Sequence, residues 1–194
     1  TDLVAVRDGG LTLAKASTTP SNFAGGVLDA VEKGDLPLAS VDQFVHGTTV
    51  VINAITERTG EETALLTTQG FRDVLDVTRA NRPDMFNYQY EKPEPFVPRR
   101  HRWEVPERVD QAGETVQPLD EAAIREAARE IRDAGFDTIA VSYLHSYENP
   151  EHERRTREIV EEVHPDAYVT LSHELTKEYR EYERTNTTVL NSYV

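Results

Sequence analysis

Residues 41–54 read V-D-Q-F-V-H-G-T-T-V-V-I-N-A. Phe44 and Val45 read as the end of a buried strand, His46-Gly47-Thr48-Thr49 as a turn, and Val50 onward as a helix. A strand, a short turn and a helix, repeated along a chain, imply an α/β sheet covered by helices. Gly47 lets a ligand approach the backbone, and Thr48 and Thr49 bring hydroxyls and amides to a helix start. The first N–H groups of a helix lack intrahelical partners and its dipole is positive there, so this turn can hold an anion. The same residues also make an ordinary N-cap behind an ordinary loop.

Working outward, strand and helix alternate from residue 40 on. Residues 63–68 (T-A-L-L-T-T) form a short buried strand, and 71–77 one or two helical turns. Residues 103–109 and 138–144 read as strands, as do 167–171. Asp120 is placed to cap a helix over 121–134 that stops at Gly135. Asn149-Pro150-Glu151 opens another, with Asn as N-cap, and 177–193 reads as a polar helix or pair. Towards the start, 1–6 and 11–15 pair as a hairpin about Asp8-Gly9-Gly10, and a helix from Phe23 ends at Gly34. That opening hairpin, without initiator methionine or leader, reads as a chain cut from a longer one. Residues 79–100 differ, holding Pro83, Pro93, Pro95 and Pro98 with Phe86, Tyr88, Tyr90 and Phe96. Proline at that density forbids regular structure, and the aromatics favour an ordered loop packed on something.

Composition narrows the function. The 194 residues suffice for a real core. Asp and Glu number 35 against 21 Lys and Arg, for a net charge of −14. Only four of the bases are lysine (Lys15, Lys33, Lys92, Lys177), a balance that suits a protein adapted to high salt. Such charge argues against a nucleic-acid partner, and no stretch has the length of a membrane helix. The chain has no cysteine, which excludes disulfides and thiolate chemistry. A cytoplasmic protein is the expectation.

Two histidines sit at strand ends, where open α/β sheets bind ligands: His46 and His145. They could share one cleft as acid/base groups or metal ligands, or each could satisfy a loop carbonyl. His152 fits a helix start, and His101, His164 and His173 read as loop residues. Arg79, Arg82, Arg99 and Arg100 flank the proline-rich segment, where they hold a carboxylate or phosphate or form surface ion pairs. Glu181-Tyr182-Glu183-Arg184-Thr185-Asn186 is polar yet helical, either a buried seam or a solvated face.

Taken together, V-H-G-T-T-V-V-I-N-A (45–54), T-T-Q-G-F-R-D-V-L (67–75), N-R-P-D (81–84), L-H-S-Y-E-N-P-E-H-E (144–153) and Y-E-R-T-N-T-T-V-L-N-S-Y (182–193) resemble the hydantoinase A/5-oxoprolinase family. The resemblance runs in order along essentially the whole chain. It implies the actin-like ATPase fold, of which residues 1–194 would be the N-terminal domain. The family's phosphate loop, D-x-G-G-T-x-T-D, would end at Thr1-Asp2, and the adenosine-binding domain would follow the last residue. The fragment alone is then not expected to hydrolyse ATP.

The resemblance also implies roles. Thr1, Asp2 and Gly47 would lie near ATP and Mg²⁺, and His46, Thr48, Thr49 and His145 would serve catalysis. Arg79, Arg82 and Tyr147 would lie towards substrate, and Glu183, Arg184 and Asn186 in a seam to the second domain. The reaction implied is ATP-dependent opening of a cyclic amide (hydantoin, N-methylhydantoin or 5-oxoproline) with a hydantoinase B-type partner, in an oligomer. Alternatives are an ATP-dependent ketone carboxylase subunit, another actin-like ATPase, or a non-catalytic module that binds through the proline-rich loop.

Overall fold

The structure is a computed structural model that describes residues 1–7, 9–19, 22–81 and 84–194. It contains two compact units, residues 1–48 and 49–194.

The first unit begins with an antiparallel pair, β1 (Asp2–Arg7) and β2 (Gly10–Lys15), in the register Asp2↔Lys15 to Arg7↔Gly10. Gly9 in the turn has φ +75°, which a side-chain-free residue adopts without strain. Helix α1 (Phe23–Lys33) is capped by Asn22, whose side chain accepts from the Gly25 N–H at 3.2 Å, and it ends at Gly34 as expected. Ala16, Ala30 and Val31 form its small core. The strand expected at Phe44 and Val45 does not form. Residues 43–49 lie in no helix or strand, and both side chains face solvent. A strand requires a neighbour to pair with, and the sheet of this unit, among the described residues, holds β1 and β2 alone.

The second unit opens with α2 (Val50–Glu57), closed by Arg58 in the left-handed conformation. Its frame is a four-stranded parallel sheet in the order β4–β3–β7–β8. The strands are β3 (Thr63–Thr68), β4 (Arg102–Val105), β7 (Thr138–Ser142) and β8 (Tyr168–Leu171). Every residue of β3 and β7 is buried, as a parallel sheet covered on both faces requires. Ala64, Leu66, Ile139 and Val141 face α4 (Glu121–Asp133) and α5 (Glu151–Val163), which supply Ile124, Ile131, Ile159 and Val160. The alternate residues Leu65 and Ala140 face α3 (Val74–Val77) and α7 (Glu181–Tyr193), through Leu75 and Val189.

The single strand expected over 103–109 is divided into β4 and β5 (Arg108–Val109), and β5 pairs antiparallel with β6 (Thr115–Gln117) ahead of α4. Pro106 breaks that run, since proline cannot donate to a ladder. Asp120 caps α4 by accepting from Ala123 N–H at 3.0 Å. At α5 the cap residue is Pro150 rather than Asn149, though Asn149 Oδ1 still accepts from Glu151 N–H at 3.2 Å. A one-turn helix, α6 (Ser172–Leu175), follows β8 directly.

Candidate functional site

The expected site residues fall in both units, each considered by itself. In the first, Asp2 pairs with Lys15 at 3.2 Å on the exposed edge of the hairpin. Thr1 accepts a backbone bond from Ala16 at 2.9 Å. His46, Gly47 and Thr48 are exposed, and a Cβ added at Gly47 would meet nothing within 4 Å. At the start of the second unit, Thr49 stands at the N-cap of α2 without a side-chain capping bond.

The second unit holds a dense site at the carboxyl end of β7. His145 occupies the left-handed region at φ +56°, uncommon for a non-glycine residue, and the residues beside it are fixed from several directions. Tyr143 N–H donates to Glu153 Oε1 at 3.0 Å, and Leu144 N–H donates to Thr68 Oγ1 at 3.0 Å. Thr68 in turn donates to Glu107, whose other oxygen meets His152 Nδ1 at 2.8 Å. Arg184 Nη2 donates to the Tyr143 carbonyl at 2.8 Å, and Nη1 to the Glu178 carbonyl at 2.6 Å. His145 Nδ1 lies 3.2 Å from the Tyr147 hydroxyl, and the Arg184 guanidinium lies over the Tyr147 ring at 5.4 Å. Burial pushes the Tyr143 hydroxyl well above the ordinary phenol range and holds the Arg184 guanidinium below its own.

Glu153, fully buried, is the hub beneath this turn. Besides Tyr143 N–H it receives Ser172 Oγ at 2.6 Å and His173 N–H at 3.1 Å, and His173 Nδ1 lies 2.7 Å from Oε2. The sequence reading missed Glu107 and Glu153 and took His173 for a loop residue. Glu153, Thr156 and Ile159, with Val160, lie on the buried face of α5, so the helical period carried a signal that the acidic composition hid. His164 lies in the loop after α5, as expected, and is buried there, with Nε2 3.0 Å from the Phe136 carbonyl.

A third feature is an open cleft of about 720 Å³ whose walls include Arg58, Arg79, Lys92, Phe96, Tyr182 and Asn186. Arg79 forms an ion pair with Glu183, so two residues assigned separately to substrate and to a domain seam meet here. Burial works to raise the Glu183 pKa, but bonds from Arg79 and its own backbone hold it below the ordinary value. Arg82 lies outside the described residues. Arg184, expected at a seam to a second domain, is instead buried inside this unit. Within the proline-rich stretch, Phe96 packs edge-on to Tyr193 with centroids 5.0 Å apart, whereas Phe86 and Tyr88 face solvent. Among the described residues no three His, Asp or Glu side chains gather as a metal site.

Residues 1–164 match the family described as the hydantoinase/oxoprolinase N-terminal region. The acetophenone carboxylase gamma subunit of Aromatoleum aromaticum is 35% identical over 215 residues, covering 100% of this chain and 29% of its own length. Caprolactamase subunit alpha of Pseudomonas jessenii is 34% identical over 202 residues, covering 99% of this chain and 29% of its own. The crystal structure of that ATP-dependent caprolactamase aligns with a TM-score of 0.84 at 33% identity, over 100% of this chain and 30% of the other. Nucleotide-free acetone carboxylase aligns with a TM-score of 0.88 at 34% identity, over 99% of this chain and 30% of the other. The chain thus spans under a third of the length of these relatives.

Proposed function

We propose, because this chain belongs to the hydantoinase/oxoprolinase family and has the fold of an actin-like ATPase N-terminal domain, that it is the N-terminal part of an ATP-dependent enzyme opening a cyclic amide. The observation that carries this reading is the match to caprolactamase subunit alpha over 99% of the chain. A lactam is a cyclic amide, and its carbonyl is a poor electrophile. ATP with Mg²⁺ would supply a phosphoryl group to the ring carbonyl oxygen, turning that carbon into a good electrophile for the nucleophile whose attack precedes C–N cleavage.

The residues present fit that role in part. Mg²⁺ prefers one or two protein carboxylates plus nucleotide oxygens to an all-protein cage. The exposed Asp2, which pairs with Lys15, would supply one such carboxylate, and the described residues offer no cluster of three or more ligands. Within the first unit, the open space at Gly47 would admit a phosphate, and Thr48 and, at the start of the second unit, Thr49 are kept as candidates for catalysis. His46 joins that segment as an acid/base candidate. On the substrate side, Arg79, Arg82 and Asn186 would orient the amide. His145, hydrogen-bonded to Tyr147, would move a proton as the ring opens. We assign the second domain and a hydantoinase B-type partner subunit to the rest of the assembly.

A second reading is an ATP-dependent ketone carboxylase subunit, favoured by the equally close match to acetophenone carboxylase. Both reactions need an activated carbonyl and differ in what attacks or departs. The test is ATP hydrolysis by the full-length protein with its partner and Mg²⁺, in the presence of hydantoin, 5-oxoproline, caprolactam, or acetone plus bicarbonate. Stimulation by a cyclic amide is expected. Stimulation by the ketone alone selects the carboxylase, and ATP hydrolysis indifferent to all four removes both readings.

A further inference from the structure

We propose that Arg184 is a positioning residue that holds His145 and Tyr147 in working geometry; the proposal builds on the reading of His145 as a proton-transfer group. A histidine at φ +56° is in a sparsely populated backbone conformation, which persists only where its surroundings over-determine it. The surroundings do so here. Both polar backbone groups of Tyr143 are taken by buried charged side chains, the N–H by Glu153 and the carbonyl by Arg184. The next N–H, of Leu144, is held by Thr68. On the far side, the N–H groups of Glu148 and Asn149 both close on the His145 carbonyl, at 3.0 and 3.2 Å. The chain can therefore leave the left-handed conformation at His145 only by breaking bonds made in the interior.

Arg184 acts on both sides of that residue. It fixes the carbonyl two residues before His145 and lies against the ring of Tyr147, two residues after it. Tyr147 completes the loop through its hydroxyl to His145 Nδ1. A fully buried guanidinium is an expensive way to bind carbonyls. Arg184 forms no ion pair among the described residues, and its Nε has no hydrogen-bond partner there. An apolar side chain would fill the same space at lower cost, but it could not hold the Tyr143 carbonyl and the Tyr147 ring together.

The experiment uses the full-length protein with its partner and histidine labelled with ¹⁵N, in wild-type, Arg184→Lys, Arg184→Gln and His145→Gln forms. The His145 ring signal is identified by its loss in His145→Gln. Both Arg184 variants are expected to move that signal and to leave the other histidine signals in place. A misplacement of about 1 Å costs about a hundredfold in rate, so kcat for the stimulating compound should fall by about that factor with KM unchanged. In the His145→Gln background the Arg184 variants should add no further loss. An unmoved His145 signal overturns the proposal, as does an equal loss of kcat in both backgrounds. Failure of both variants to fold also overturns it, because Arg184 is then a structural residue. Undiminished turnover in His145→Gln instead removes the catalytic reading of His145, and the ring signal still decides whether Arg184 positions it.

Discussion

Glu153 shows what a single residue does in this fold. Its carboxylate is the common partner of Tyr143 N–H, just past β7, and of Ser172 and His173 at the start of α6, so two separate stretches of chain converge on two oxygens. Replacing it with alanine strands those donors in the interior. A broken buried pair costs about 3–5 kcal/mol, and we expect Glu153→Ala to lower stability by that much in urea denaturation. Glu153→Gln keeps the shape and one acceptor oxygen but turns an NH₂ towards donors, and we expect about half that loss. A loss within 0.5 kcal/mol of zero for alanine, on the order of an ordinary surface change, would remove Glu153 from this role. His145 was legible in the sequence because its chemistry is local: a histidine where a strand runs out. Glu153 was not. Its sequence neighbours are charged, its partners lie 10 to 20 residues away, and only the folded helix shows that it faces inward.

Elements were legible where one segment carries its own signal. The turn at Gly9, the end of α1 at Gly34, the Asp120 cap, and the continuous apolar runs of β3 and β7 all formed as read. The strand at Phe44 and Val45 failed because a strand depends on a partner elsewhere, which no local pattern reports. The packing around the histidines read as loop residues was hidden for a related reason, and His101 shows it. It precedes β4, packs edge-on to Phe136 with centroids 4.6 Å apart, and its Nε2 accepts from Arg100 Nε at 3.1 Å. Burial, then the charge of Arg100, holds its pKa below 6.5. The unfolded chain therefore takes up a proton first as pH falls. Stability from this site is complete above pH 6.5 and declines below it until the folded pKa is passed. The slope is worth about 1.4 kcal/mol for each unit of depression. Between pH 7 and 5 we expect His101→Phe to lose less stability than the wild type, measured as the difference in urea midpoints. Parallel losses in the two proteins would show that His101 titrates alike folded and unfolded.

At the scale of the whole molecule, the net charge of −14 sets two electrostatic terms against each other. Arginines on the outer helices make short carboxylate pairs: Arg125 with Glu162 at 2.6 Å, Arg155 with both Glu121 and Glu158, Arg157 with Glu174 at 2.6 Å. Arginine holds such pairs in a planar fork that lysine lacks, consistent with the scarcity of lysine. Exposed pairs contribute about 0–1 kcal/mol each and act at contact distance, where salt screens least. The repulsion among the excess carboxylates acts over longer distances. The screening length shrinks from about 10 Å at 0.1 M salt to about 3 Å at 1 M, so added salt removes repulsion faster than it weakens the pairs. The balance favours a protein that gains stability with salt. We expect the melting temperature to rise by several degrees between 0.1 and 1 M KCl, at about 2–4 °C for each kcal/mol. Charge reversal at the exposed Glu62, Glu126 and Asp166 to lysine should shrink that rise. A salt response unchanged by these substitutions would assign it to general strengthening of apolar burial, which every globular protein shows.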